Sequence, residues 1–121
     1  MKRVSYFLAI TTLSGFMALL SAPRAEAGRV AGPASWPVVL QGYGSVSYDI
    51  PFAAGQAAIS VSGNGSSNVS LEVSDGSGHR WVGGGFATMK TVTFDVVREG
   101  TFHVVIQNLG TATDTFTLRT N

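Results

Sequence analysis

Asp75, Ser77 and His79 fall within five residues of one another and supply a carboxylate, a hydroxyl and an imidazole, the side-chain types of a hydrolytic relay. Their spacing argues against one. A relay is assembled by the fold from separate elements, and Gly76-Ser77-Gly78 lacks the Gly-x-Ser-x-Gly elbow and a following helix. The second histidine, His103, alternates with apolar residues and is expected to face away from the core. Two histidines without a spaced carboxylate pair do not make a zinc site. The chain has no cysteine, which excludes a thiol nucleophile, a thiolate metal site and a disulfide. Gly83-Gly84-Gly85 lacks the Lys-Ser or Lys-Thr and the helix of a phosphate loop, and reads as a spacer that frees the chain between two strands. No enzymatic activity is expected.

Binding chemistry has better candidates. An exposed indole stacks on the apolar face of a sugar, which makes Trp81, beside Arg80 and the three glycines, a possible carbohydrate platform. The plainer reading is that Trp81 covers one end of the core and Trp36 packs the N-terminal segment. The stretch Ser62 to Asn68 is the most polar and glycine-rich. It either presents Asn64, Asn68 and backbone amides to a ligand or simply turns the chain.

These residues need a scaffold, and the pattern that supplies it is alternation. Val46, Tyr48 and Ile50 share one face of a run, as do Ala57, Ile59 and Val61; Val69, Leu71 and Val73; Val92, Phe94 and Val96; Phe102, Val104 and Ile106; and Phe116 with Leu118. Gly-rich and Asn-rich turns separate them. Shorter apolar stretches at Val38-Val39-Leu40 and Trp81-Val82 bring the count to about eight strands. The expected fold class is all-β, an antiparallel β-sandwich of jelly-roll type over residues 38–121.

Residues 1–27 read as an export signal. Lys2 and Arg3 precede an apolar run, and Ala25-Glu26-Ala27 offers a cleavage site after Ala27. The run is shorter than the roughly 20 residues that span a bilayer, so no membrane anchor is expected after cleavage. Residues 28–37, rich in Gly, Ala and Pro, read as a flexible lead-in. The formal charge of +1 is misleading, because Lys2, Arg3, Arg24 and Glu26 belong to the leader; beyond it Arg29, Arg80, Lys90, Arg98 and Arg119 stand against Asp49, Glu72, Asp75, Asp95, Glu99 and Asp114, a balance close to neutral. Without a basic stripe, nucleic acid is not an expected partner.

The C-terminal half carries a resemblance. Gly100-Thr101-Phe102-His103-Val104-Val105-Ile106-Gln107-Asn108-Leu109-Gly110, followed by Phe116 to Asn121, resembles the last two strands of bacterial pre-peptidase C-terminal domains. Gly63-Asn64-Gly65-Ser66-Ser67-Asn68-Val69-Ser70-Leu71 is similar to that family's Gly-Asp-Gly-Asp-x-Asp-Leu-Asp-Leu pattern, and Asp75-Gly76-Ser77-Gly78 sits at its Asp-x-x-Gly turn. The resemblance implies a jelly-roll accessory domain that does not catalyse. Several relatives bind calcium through carboxylates of that loop; here Asn64, Ser66, Asn68 and Ser70 replace them and Asp75 alone is kept. Calcium takes about 6–8 oxygen ligands and favours carboxylates, so Asp75, Asn64 and Asn68 imply at most weak calcium binding and no other cofactor. The expected function is an exported, periplasmic or secreted, binding or structural module whose partner is a protein or glycan of the cell envelope. The alternatives are a carbohydrate-binding module and a calcium-stabilised accessory domain.

Overall fold

The structure, a computed structural model, describes residues 28–121. The expected leader and its cleavage point at Ala27 lie outside these residues. Nine strands follow in chain order: β1 (Gly28–Arg29), β2 (Ala34–Leu40), β3 (Ser45–Ala53), β4 (Gly55–Ser62), β5 (Val69–Ser74), β6 (Arg80–Val82), β7 (Met89–Val96), β8 (Gly100–Asn108) and β9 (Asp114–Thr120). They form two antiparallel sheets, one ordered β1-β3-β8-β5-β6 and the other β2-β9-β4-β7. Without β1 this is the eight-stranded jelly roll, in which almost every connection passes from one sheet to the other.

The alternating pattern explains the sheets. Through the central parts of β4, β5, β7, β8 and β9 every second residue is buried, and the apolar ones meet between the layers in one core. Phe52, Phe94 and Phe102 are its aromatic centre, with Phe52 packed edge-on against both others at centroid distances of 5.5 and 5.9 Å. A sandwich leaves two open sides, and a tryptophan stands at each. Trp36 of β2 meets Tyr48 of β3 edge-on at 5.5 Å, and Trp81 of β6 stacks on Phe94 of β7 at 4.9 Å.

Residues 28–37 are not a flexible lead-in. Gly28 and Arg29 pair with Ala53 and Phe52, the Arg29 amide donates to the Asn121 carbonyl at 2.8 Å, and Val30 donates to Pro51 at 2.9 Å. Strand β2 begins at Ala34, four residues before the apolar stretch that marked it, because seven residues in a row pair with β9. Pairing supplied by a neighbouring strand overrides weak local propensity.

Candidate functional site

The strand directions sort the connections into two ends. The first end carries the β3–β4 bend, the β5–β6 turn, the β7–β8 turn, β1 and the C-terminus. The second carries 41–44, 63–68, 83–88 and 109–113.

At the first end Asp75 closes the β5–β6 hairpin. Its Oδ1 accepts from the amides of Ser77 and His79, each at 2.9 Å, and its Oδ2 lies 2.8 Å from His79 Nδ1. Arg80 and Glu72 pair beside it on the exposed strand face. An open cleft of about 490 Å³ runs from this turn to Asp95, Val97 and Arg98, floored by Trp81 and Phe102. Trp81 lies between buried Phe94 and the imidazole of His79, which sits nearly parallel at a centroid distance of 6.0 Å. With neighbours stacked on it, its indole serves as a seal on the open side, and Trp36 serves the same way opposite. His103 projects outward, as expected, and meets Asp49 across the sheet at 2.8 Å. Among the described residues no hydroxyl bonds to either imidazole, so Asp75, Ser77 and His79 form a turn and not a relay.

The Asp75 turn makes a pH prediction. Burial opposes the charge on Asp75, but the His79 amide, the His79 ring and the Ser77 amide all favour it, and together they hold this carboxyl below the ordinary aspartate value. A folded-state value below the unfolded one gives stability that is present above the ordinary aspartate range and is lost as pH falls through the depressed value. Asp75→Asn removes the charge and keeps the shape. The gap in urea midpoint between the two proteins is expected to hold from neutral to mildly acidic pH and to close in stronger acid. A gap independent of pH would show that the charge contributes nothing.

The second end has a different chemistry. Its four loops read Gln41-Gly42-Tyr43-Gly44, Gly63-Asn64-Gly65-Ser66-Ser67-Asn68, Gly83-Gly84-Gly85-Phe86-Ala87-Thr88 and Leu109-Gly110-Thr111-Ala112-Thr113, with no charged side chain in any of them. They are tied into one surface by backbone bonds: Tyr43 to Gly110 (3.0 Å), Leu109 to Asn68 (2.8 Å), Val69 to Ala87 (2.9 Å) and Gly63 to Thr88 (2.9 Å). Beneath them Asn108 is fully buried. Its Nδ2 donates to the carbonyls of Leu40, Gln41 and Ala112, and its Oδ1 accepts from the Gly110 amide. Asn64 and Asn68 are both exposed; the Asn64 carbonyl oxygen caps Ser66 at 3.0 Å and leaves its amide nitrogen facing water. Tyr43, 65% exposed, has a φ of 61° in the left-handed region and is the one non-glycine residue there among those described. A bulky side chain in that conformation is strained by about 1–3 kcal/mol. Phe86 is 80% exposed and Leu109 is also exposed.

Neither a family model nor a curated protein matches this sequence. Solved structures do. The pre-peptidase C-terminal domain of a collagenase from Bacillus anthracis superposes with a TM-score of 0.62 over 73% of this chain and 88% of that domain, at 14% identity. This chain has the fold of a pre-peptidase C-terminal domain. PliG of Aeromonas hydrophila, a periplasmic inhibitor of g-type lysozyme, superposes with a TM-score of 0.55 over 83% of this chain and 91% of that one, at 15% identity.

Within this pre-peptidase C-terminal fold the residues implied for calcium do not converge. Strand β5 runs between Asn68 and Asp75, a separation of about 20 Å at roughly 3.3 Å per residue. Both Asp75 oxygens already serve the turn, and among the described residues no three His, Asp or Glu side chains gather to hold an ion. The residues present do not fit a shared calcium site. Trp81 and Asn64 likewise stand at opposite ends and belong to no common ligand site. Tyr43, Phe86 and Leu109 were missed, since an isolated aromatic or leucine in a glycine-rich turn carries no periodic signal. The Gly42-Tyr43-Gly44 triplet was the one available hint, an aromatic residue set where the chain turns.

Proposed function

We propose that this protein is an exported, non-catalytic binding module that engages a protein or glycan of the cell envelope through its uncharged loop end. The observation that carries this is Tyr43. Glycine or asparagine would take its left-handed conformation with little strain, yet an exposed tyrosine stands there, on a surface rich in Gly, Ser, Thr and Asn. Strain held at an exposed aromatic residue points to a contact that uses it. Tyrosine with small polar neighbours is also the composition of recognition loops, in which a rigid ring supplies area and the neighbours supply adaptable hydrogen bonds. The export reading rests on the leader sequence, and PliG supports it as a periplasmic protein of the same overall fold. The first end offers less: its two imidazoles are each paired with a neighbouring carboxylate, and its half-buried indole is stacked on Phe94.

The test is co-sedimentation of the purified protein with an envelope preparation, before and after protease or muramidase digestion. Tyr43→Asn is expected to weaken retention about tenfold, the scale of one interface anchor, while its thermal midpoint stays level or rises. His79→Ala should leave retention unchanged. If Tyr43→Asn binds as the parent does, the loop end is not the contact surface.

A further inference from the structure

The three consecutive glycines that suggest a loose spacer instead build a pinned loop. Gly83 donates to Leu71 at 2.8 Å, and Gly84 exchanges two backbone bonds with Thr91 at 3.0 and 2.9 Å. The Phe86 carbonyl accepts from the Met89 amide at 3.1 Å and from the Lys90 ammonium. The carbonyls of Ala87 and Thr88 are bonded to Val69 and Gly63. Gly85 has a φ of 129°, and a Cβ there would sit 2.7 Å from the Met89 carbonyl oxygen; a Cβ at Gly83 would press on Leu71 and Lys90 at 3.0 Å. Gly85 is thus required by close approach and backbone shape, and Gly83 sits where a side chain would have to push its neighbours aside. The loop is fixed at its base, and its tip presents Phe86 to water.

We infer that residues 83–88 form a preformed finger whose Phe86 ring seats in an apolar pocket of a folded protein partner. The inference rests on the loop end being the contact surface and names the partner class that surface takes. A ring held out by a pinned backbone loses little freedom on docking, which is what makes a single aromatic residue an effective anchor. The chemistry of the finger selects among occupants. Apart from Phe86 its side chains are those of Gly, Ala and Thr88, so one hydroxyl is all it offers to a sugar. An anionic lipid surface would draw on exposed cations, yet the four loops hold none, and the neighbouring Lys90 ammonium is turned onto the Phe86 carbonyl. The uncharged loops around the finger suit a partner surface that is itself uncharged about its pocket.

The test is site-specific photocrosslinking in the full chain, with a benzophenone amino acid at position 86 and, as a control, at position 97. Val97 is 90% exposed at the opposite end. One protein adduct is expected from position 86 and none of that mass from 97. Excess unlabelled parent protein should compete it away, and excess Phe86→Ser protein should fail to compete at tenfold higher concentration. Because Phe86 lies outside the core, Phe86→Ser should keep the parent's melting midpoint. An adduct of phospholipid mass, binding of the protein to phosphatidylglycerol vesicles through Phe86, or an adduct with a second copy of this chain would each overturn the inference. So would equal competition by Phe86→Ser. If Tyr43→Asn lowers envelope retention and Phe86→Ser does not, the loop end stands as the contact surface and the finger fails. If neither lowers it, both fail.

Discussion

Phe52→Ala is expected to remove about 3–5 kcal/mol of folding stability, the range for losing a buried phenylalanine. Phe52 is fully buried, and its ring is the shared neighbour of Phe94 and Phe102. Two contributions combine: transfer of the ring into water, and a cavity that two sheets fixed by their own ladders cannot close. A domain of this size holds roughly 5–14 kcal/mol in total, and no disulfide limits the unfolded chain. The variant should therefore show a large fall in urea midpoint, with partial unfolding near 37 °C. Phe52→Leu, which refills much of the space, should lose less than half as much. Equal losses in the two variants would mean that ring packing is not what Phe52 contributes.

Asn108→Asp is expected to be nearly as damaging, for a different reason. The substitution keeps size and shape and replaces the amide nitrogen with an oxygen. That oxygen would face the carbonyls of Leu40, Gln41 and Ala112, all acceptors, inside a site closed to water. Leaving buried polar groups unpaired costs about 1–3 kcal/mol each, so a loss of about 3–4 kcal/mol is expected. Because Asn108 ties the 41–44 and 109–113 loops together, amide hydrogen exchange should quicken first at Tyr43 and Gly110, ahead of the β4–β7 ladder. Uniform loss of protection would show that Asn108 supports the whole sandwich equally and not the loop end in particular.

The core was legible because burial on one face of a strand writes a period of two into the chain. Ile59, Leu71, Val104 and Phe116 were placed inward from spacing alone, and all are buried. The N-terminal pairing was not legible: Gly28-Arg29 has no strand character of its own and is held by β3 and by Asn121. Asn108 gave no warning either, since its value depends on two carbonyls from a turn almost seventy residues away as well as one from the turn that follows it. The candidate site was harder still. Asn64, Asn68 and Asp75 were singled out by polarity and by resemblance and Trp81 for its indole, and only the direction of β5 shows that Asp75 and Trp81 belong to one end and the asparagines to the other. The glycine triplet was read as freedom because composition reports what glycine permits and says nothing of which neighbours require it.

The bond from the Arg29 amide to the Asn121 carbonyl has a geometric consequence. It brings residue 28 and residue 121 to one point of the surface, on the end that carries the charged turns. With the first and last described residues joined at that pole, the backbone of the sandwich closes on itself like a clasp, and Tyr43 and Phe86 look the opposite way.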